Sequence, residues 1–189
     1  MRLWFAAIIV VSASLLFAQE PATQPAVEGV KVPLKIEGGH DLDQRDGGRP
    51  VVLIAAALNV PEQVFRDVFK NVRPAHGRGP SKEEARANKK VLLDGLAKYG
   101  VTNERLDEVS NYYRYKPQDG GLWRHTPAAG YAMVKDGVVT AVTMTEPGRG
   151  YTTPPTITAD GATTKLTATL VLGTDLAQNG SIKSVEIAK

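Results

Sequence analysis

The amino-acid sequence predicts an α+β protein. A small four-helix segment, built as two αα-hairpins, precedes an antiparallel β-sheet or small barrel, and an N-terminal edge strand comes before both. Three observations predict this. Between residues 51 and 113 apolar side chains recur every three to four positions, the helical period. From residue 129 onward the period drops to two, the period of a strand with one buried face. Two pairs, Asp136-Gly137 and Asn179-Gly180, punctuate that second stretch as hairpin signals.

Residues 1–18 read as a targeting signal. Arg2 supplies the positive end, and Leu3 to Phe17 is apolar but shorter than the roughly 20 residues of a spanning helix. Ala18 precedes the expected cut. An uncleaved anchor is the alternative; after cleavage no transmembrane anchor is expected. The chain has no Cys, which excludes disulfides, thiolate catalysis and Cys-based zinc sites. An exported chain without Cys fits the bacterial periplasm or the secreted fraction. Residues 19–29 are rich in Pro, Ala and small polar residues and read as a linker.

Residues 30–128 hold the edge strand, an acidic loop and the helices. Val30 to Ile36 alternates cleanly, and Pro33, which lacks a ladder donor, places the strand at an edge. The loop from Gly38 to Pro50 is the most polar in the chain. Asp41, Asp43 and Asp46 offer oxygen ligands to Ca²⁺, and Gly47 allows a turn. The spacing departs from an EF-hand, because the third acid comes one position late and no Glu closes the loop. Two alternatives stand beside calcium. His40 joins the carboxylates in a transition-metal site, or the aspartates cap local backbone while Arg45 or Arg49 balances their charge. No other cofactor is expected.

Val51 to Leu58 is an apolar run with three Ala, more helix than strand. Asn59 is expected to cap the next helix, with Glu62 closing a capping box and Pro61 in the first turn. Val64, Phe65, Val68, Phe69 and Val72 form its stripe. After a Pro/Gly loop containing His76, Ser81 caps a third helix with Glu83 and Glu84 in its first turn. Gly100 ends that helix, and Thr102 caps a fourth carrying Leu106, Val109 and Tyr113. Leu58–Val68 echoes Tyr99–Val109, hence two αα-hairpins. A DNA-reading helix–turn–helix has similar local shape. The export signal argues against it, as does a net charge of only +3 with no basic block, so no nucleic-acid partner is expected.

Tyr112, Tyr113, Tyr115, Trp123 and Tyr131 crowd one short stretch, with Arg114, Lys116, Arg124 and His125 between them. Flat aromatic faces beside polar donors suit sugar rings and peptide backbones. Tyr112, Tyr113, Arg114, Tyr115 and Trp123, with Tyr151 further on, are the candidate binding residues, and a glycan or an envelope protein is the expected partner. Alternatively these rings pack the seam between helices and sheet.

Residues 129–189 form the antiparallel β-module. Ala129–Lys135 pairs with Val138–Thr145 across Asp136-Gly137. Val138, Val142 and Met144 share one face of the second strand, and Val139, Ala141 and Thr143 the other. Pro147-Gly148-Arg149-Gly150 stops the alternation. Short strands follow at Thr156–Thr158, Lys165–Leu172 and Ser181–Ile187. Gly148-x-Gly150-Tyr151-Thr152-x-Pro154-Pro155-x-Ile157 resembles a small β-module, often repeated, of exported bacterial and phage surface proteins. The resemblance covers the C-terminal part alone. It implies an all-β unit used for display or adhesion and no reaction. The whole chain also resembles a group of exported bacterial proteins without an established activity, which implies an address and no mechanism.

GxSxG, HExxH and a phosphate-cradling glycine loop before a helix are all absent. The sequence therefore favours an exported, non-enzymatic binding or structural module. The alternative is a polysaccharide-acting envelope hydrolase or lyase. In that enzyme a carboxylate of the acidic loop meets His40 or His125 in a cleft and acts as general base.

Overall fold

The computed structural model describes residues 28–73, 80–114 and 121–188. The targeting signal, nearly all of the linker, the His76 loop and Tyr115 lie outside them. The elements in order are β1 (Val30–Glu37), a 3₁₀ turn (Gln44–Asp46), α1 (Val51–Ala57), α2 (Glu62–Phe69), α3 (Lys82–Leu96), α4 (Asn103–Tyr112), β2 (Ala129–Lys135), β3 (Val138–Glu146), β4 (Thr156–Ala159), β5 (Leu166–Val171) and β6 (Ser181–Ile187). The protein is α+β. Its six strands pair antiparallel in the order β3-β2-β1-β4-β5-β6. The sheet curls into a nearly closed barrel, and Ile182 N donates to Pro147 O at 2.9 Å where its two outer strands meet. No described helix is long and apolar enough to cross a membrane.

The edge position expected for β1 is not what the fold shows: the strand stands in the middle of the sheet, between β2 and β4. Val30–Pro33 pairs only with β2, and Leu34–Glu37 pairs only with β4. The strand changes partner at the residue that lacks an N–H, so each half is an edge on one side.

Asp136 and Gly137 have φ of 52° and 77°, as a type I′ turn requires. The alternation expected along β3 breaks just beyond it. Val134 opposes Val139 but Met133 opposes Ala141, so Thr140 is a bulge residue. The bulge resets the parity: Val139 is buried and Val138 is 51% exposed, while Val142 and Met144 pack inward further along.

The helix signals hold with one correction. Ser81 and Glu84 exchange both bonds of a capping box, and Thr102 accepts from Arg105 N at 3.2 Å. Asn59, however, does not cap α2. It has φ 56° and closes α1 instead, with Val60 N donating to Ala55 O and Asn59 N to Ala56 O, both at 3.0 Å. This is a Schellman ending, and asparagine serves because it tolerates the left-handed region. α2 begins at Pro61 without a side-chain cap.

Two apolar cores result. One gathers Leu53, Phe65, Leu96, Leu106, Val109 and their neighbours from the helices, together with Tyr113 and Trp123. The other fills the barrel with Ala132, Val139, Tyr151, Ile157, Ala168 and Ile182 among others. Between them lies a seam, and the residues singled out by the sequence converge there.

Candidate functional site at the seam

The glycine-rich motif is the hub of the seam. A Cβ on Gly150 (φ 82°) would stand 2.9 Å from both Arg124 O and His125 Cβ, so only glycine lets residues 124–126 lie against the loop. Thr126 and Arg149 then exchange two backbone bonds, at 3.0 and 3.1 Å, and Trp123 Nε1 donates to Gly150 O at 2.9 Å. Tyr151 passes beneath, its hydroxyl accepting from Ala128 N at 2.9 Å. On the other side Gly150 N donates to Asn179 O and Tyr151 N to Gly180 O, both at 3.0 Å.

Asn179-Gly180, expected as a two-residue hairpin turn, has a different role. β5 and β6 are joined by residues 172–180, and Asn179 is 1% exposed at the end of that loop. Its amide nitrogen donates to Leu53 O at 2.8 Å and to the Tyr113 hydroxyl at 2.9 Å, and its carbonyl accepts from Gly173 N at 3.1 Å. One buried side chain thus ties α1, the end of α4 and the β5–β6 loop together. Burial pushes the Tyr113 phenol up to about 12, against the opposing effect of the Asn179 bond, so it stays a neutral hydroxyl at all moderate pH.

The aromatic candidates divide accordingly. Tyr113, Trp123 and Tyr151 are each 3% exposed and pack the seam, and of the three Trp123 also borders the cleft beside Tyr112. Tyr112 is only partly buried, and Arg114 is exposed. Beside them a cleft of about 260 Å³ opens between Asn111, Tyr112 and Arg114 on one side and Leu122, Arg124 and His125 on the other. Its cations are held by neutral groups. The Arg124 guanidinium lies 4.7 Å over the Tyr112 ring, and Arg114 donates to Asn111 Oδ1 at 2.8 Å. Arg124 and His125 are visible in the sequence only as polar residues among rings; what marks them in the fold is their position outside the seam.

The acidic loop does not converge. Asp43 caps the 3₁₀ turn and is gripped by Arg45, whose hydrogen bonds hold its carboxyl well below the ordinary carboxylate range. Asp46 is buried and takes a forked pair of bonds from Arg66, at 2.6 and 2.8 Å, which raises the guanidinium further; Glu62 completes that pair. Asp41 Oδ2 accepts from Thr153 Oγ1 at 3.0 Å. Among the described residues no three His, Asp or Glu side chains form a metal-holding group.

His40 and His125 do meet. Their rings lie 5.0 Å apart, edge to face. Among the described residues no carboxylate is hydrogen-bonded to either: His125 Nδ1 faces Trp123 O at 3.0 Å, and His40 Nε2 is buried with no partner. No sequence signal links position 40 to 125 or 151, because only the closed barrel brings them together. No family model, curated protein or solved structure matches the chain.

Proposed function

We propose that the chain is an exported, non-enzymatic binding module of the bacterial envelope or secreted fraction, with a glycan or an envelope protein as partner. Its ligand-facing side is the cleft around Tyr112, Arg114, Arg124 and His125. One observation carries this reading. Each aspartate of the acidic loop is engaged by an arginine or a threonine, and among the described residues neither His40 nor His125 has a carboxylate partner. The catalytic alternative needs one of these carboxylates within hydrogen-bond reach of His40 or His125. The cleft offers an amphipathic ring, two guanidiniums and an amide, a set suited to binding.

The test is Arg124→Ala against a panel of neutral and acidic oligosaccharides, with thermal unfolding measured in parallel. Loss of glycan retention at an unchanged midpoint supports the proposal. A lowered midpoint with retention intact, or turnover of any oligosaccharide by the wild-type chain, overturns it.

A further inference from the structure

The imidazole of His40 lies in the stitch that joins the acidic loop to the barrel. Thr152 N and Thr153 N both donate to Gly39 O, at 2.8 and 3.2 Å, and Thr152 Oγ1 donates to Asp41 O at 2.7 Å. The backbone approach is close, since a Cβ on Gly39 would stand 2.6 Å from the Tyr151 ring. Between these bonds the His40 ring stacks on Tyr151 at 5.0 Å and 30°, meets His125 edge-on, and sits 6.0 Å from Trp123. Three segments remote in sequence contribute to this one stack.

A buried polar atom without a partner calls for an explanation. With His40 neutral, Nε2 can be a bare lone pair, and leaving it unpaired is tolerable. With His40 protonated, the same atom becomes an N–H carrying part of a full charge, with no acceptor in reach. Few groups facing the ring could offset that. An imidazolium at His125 repels it. The Asp41 carboxylate attracts it but is turned onto Thr153. The Gly38 carbonyl favours the proton, and the Tyr151 face offers a weak cation–π contact. Burial, followed by His125, outweighs these, and the ring holds its proton less well than an ordinary histidine.

We propose that His40 is a proton-sensitive latch: neutral, it closes the acidic loop over the glycine-rich motif; protonated, it opens the seam at Gly39–Asp41 and Tyr151–Thr153. The direction follows from linkage. The opened or unfolded chain takes up the proton at the ordinary value near 6.5, and the closed chain does so only at lower pH. Closure is therefore fully stable above about 6.5 and weakens as pH falls below it, by up to about tenfold per pH unit for a single proton. The proposal is independent of what the cleft binds.

Amide exchange of the full chain between pH 8 and 5 tests it. Protection factors at Thr152 and Thr153, whose amides donate to Gly39 O, should hold steady above about 6.5 and fall by up to about tenfold per pH unit below it. His40→Gln should abolish that slope. His125→Gln, at an exposed position, should leave the onset near 6.5, which the open chain sets, and reduce the total loss of protection by removing the repelling charge from the closed chain. Protection that stays flat in the wild type, or a slope that survives in His40→Gln, overturns the latch. If His40→Gln does not fold, His125→Gln decides, and a total loss of protection as large as the wild type's overturns it.

Discussion

The helical core and the barrel core are stabilised differently. In the helices Leu53, Leu96 and Val109 are fully buried, and the surrounding side chains are large. In the barrel the inward positions include Ala132, Ala159 and Ala168, and Tyr151 is the one buried ring. A helix satisfies its backbone locally, so its place in the fold rests on side-chain packing. A curled sheet satisfies its backbone between strands, and tight curvature leaves room for small residues. The helical half thus depends on apolar burial, the barrel on its ladder, and the polar seam decides whether they behave as one unit.

The largest expected effect breaks the comparison if it fails. Leu96→Ala empties a fully buried site at the end of α3 and should cost about 3–4 kcal/mol. Ala168→Gly in β5 removes one methyl and should cost about 1 kcal/mol. Urea unfolding of the two variants reads the difference directly. Equal costs would mean that the barrel packs as tightly as the helices, contrary to the account above.

Asn179→Ala sharpens it. The substitution leaves Leu53 O, in a buried bond, and Gly173 N, in a part-buried one, without their partner, a loss of about 2–3 kcal/mol. Its more telling effect is on cooperativity. In the wild type, α3 and β5 should lose amide protection at the same urea concentration, as a two-state unit does. In Asn179→Ala the barrel should open first. Coincident loss in the variant would place the coupling elsewhere, with Arg105, which donates to Ala57 O at 2.9 Å and to Thr174 O, the next residue to test.

What the sequence revealed and what it hid divide along the same line. Helices and strands were legible because their signals are local: the stripe in α2, the Ser81 box, the Asp136-Gly137 turn. Asn59 misleads because its spacing to Glu62 imitates a capping box. The internal echo carried the right answer, since it aligns Asn59 with Gly100, and both residues are left-handed helix ends. The Thr140 bulge left no mark on an alternation that reads equally well without it. The candidate site was half legible. The crowding of aromatics near Trp123 pointed to the right region, but which rings face inward depends on Asn179 and Gly150, more than 25 residues further along. The three aspartates looked like ligands because the partners of two of them, Arg66 for Asp46 and Thr153 for Asp41, come from remote parts of the chain.

The smallest effect tests the coupling most finely. Ser81 accepts from Glu84 N at 3.1 Å and donates its own N–H to Glu84 Oε2 at 2.8 Å, at the exposed start of α3 and far from the seam in sequence. Ser81→Ala should cost about 1 kcal/mol, and Ser81→Gly only a few tenths. A loss of 1 kcal/mol makes the open state about fivefold more populated. If helices and barrel open together, the slowest amides of α3 and of β5 both exchange about fivefold faster in Ser81→Ala, although β5 is untouched. Introduced into Asn179→Ala, the same cap deletion should still quicken α3 and leave β5 unchanged. A β5 response that persists there would show that the barrel senses the helices through something other than the buried asparagine.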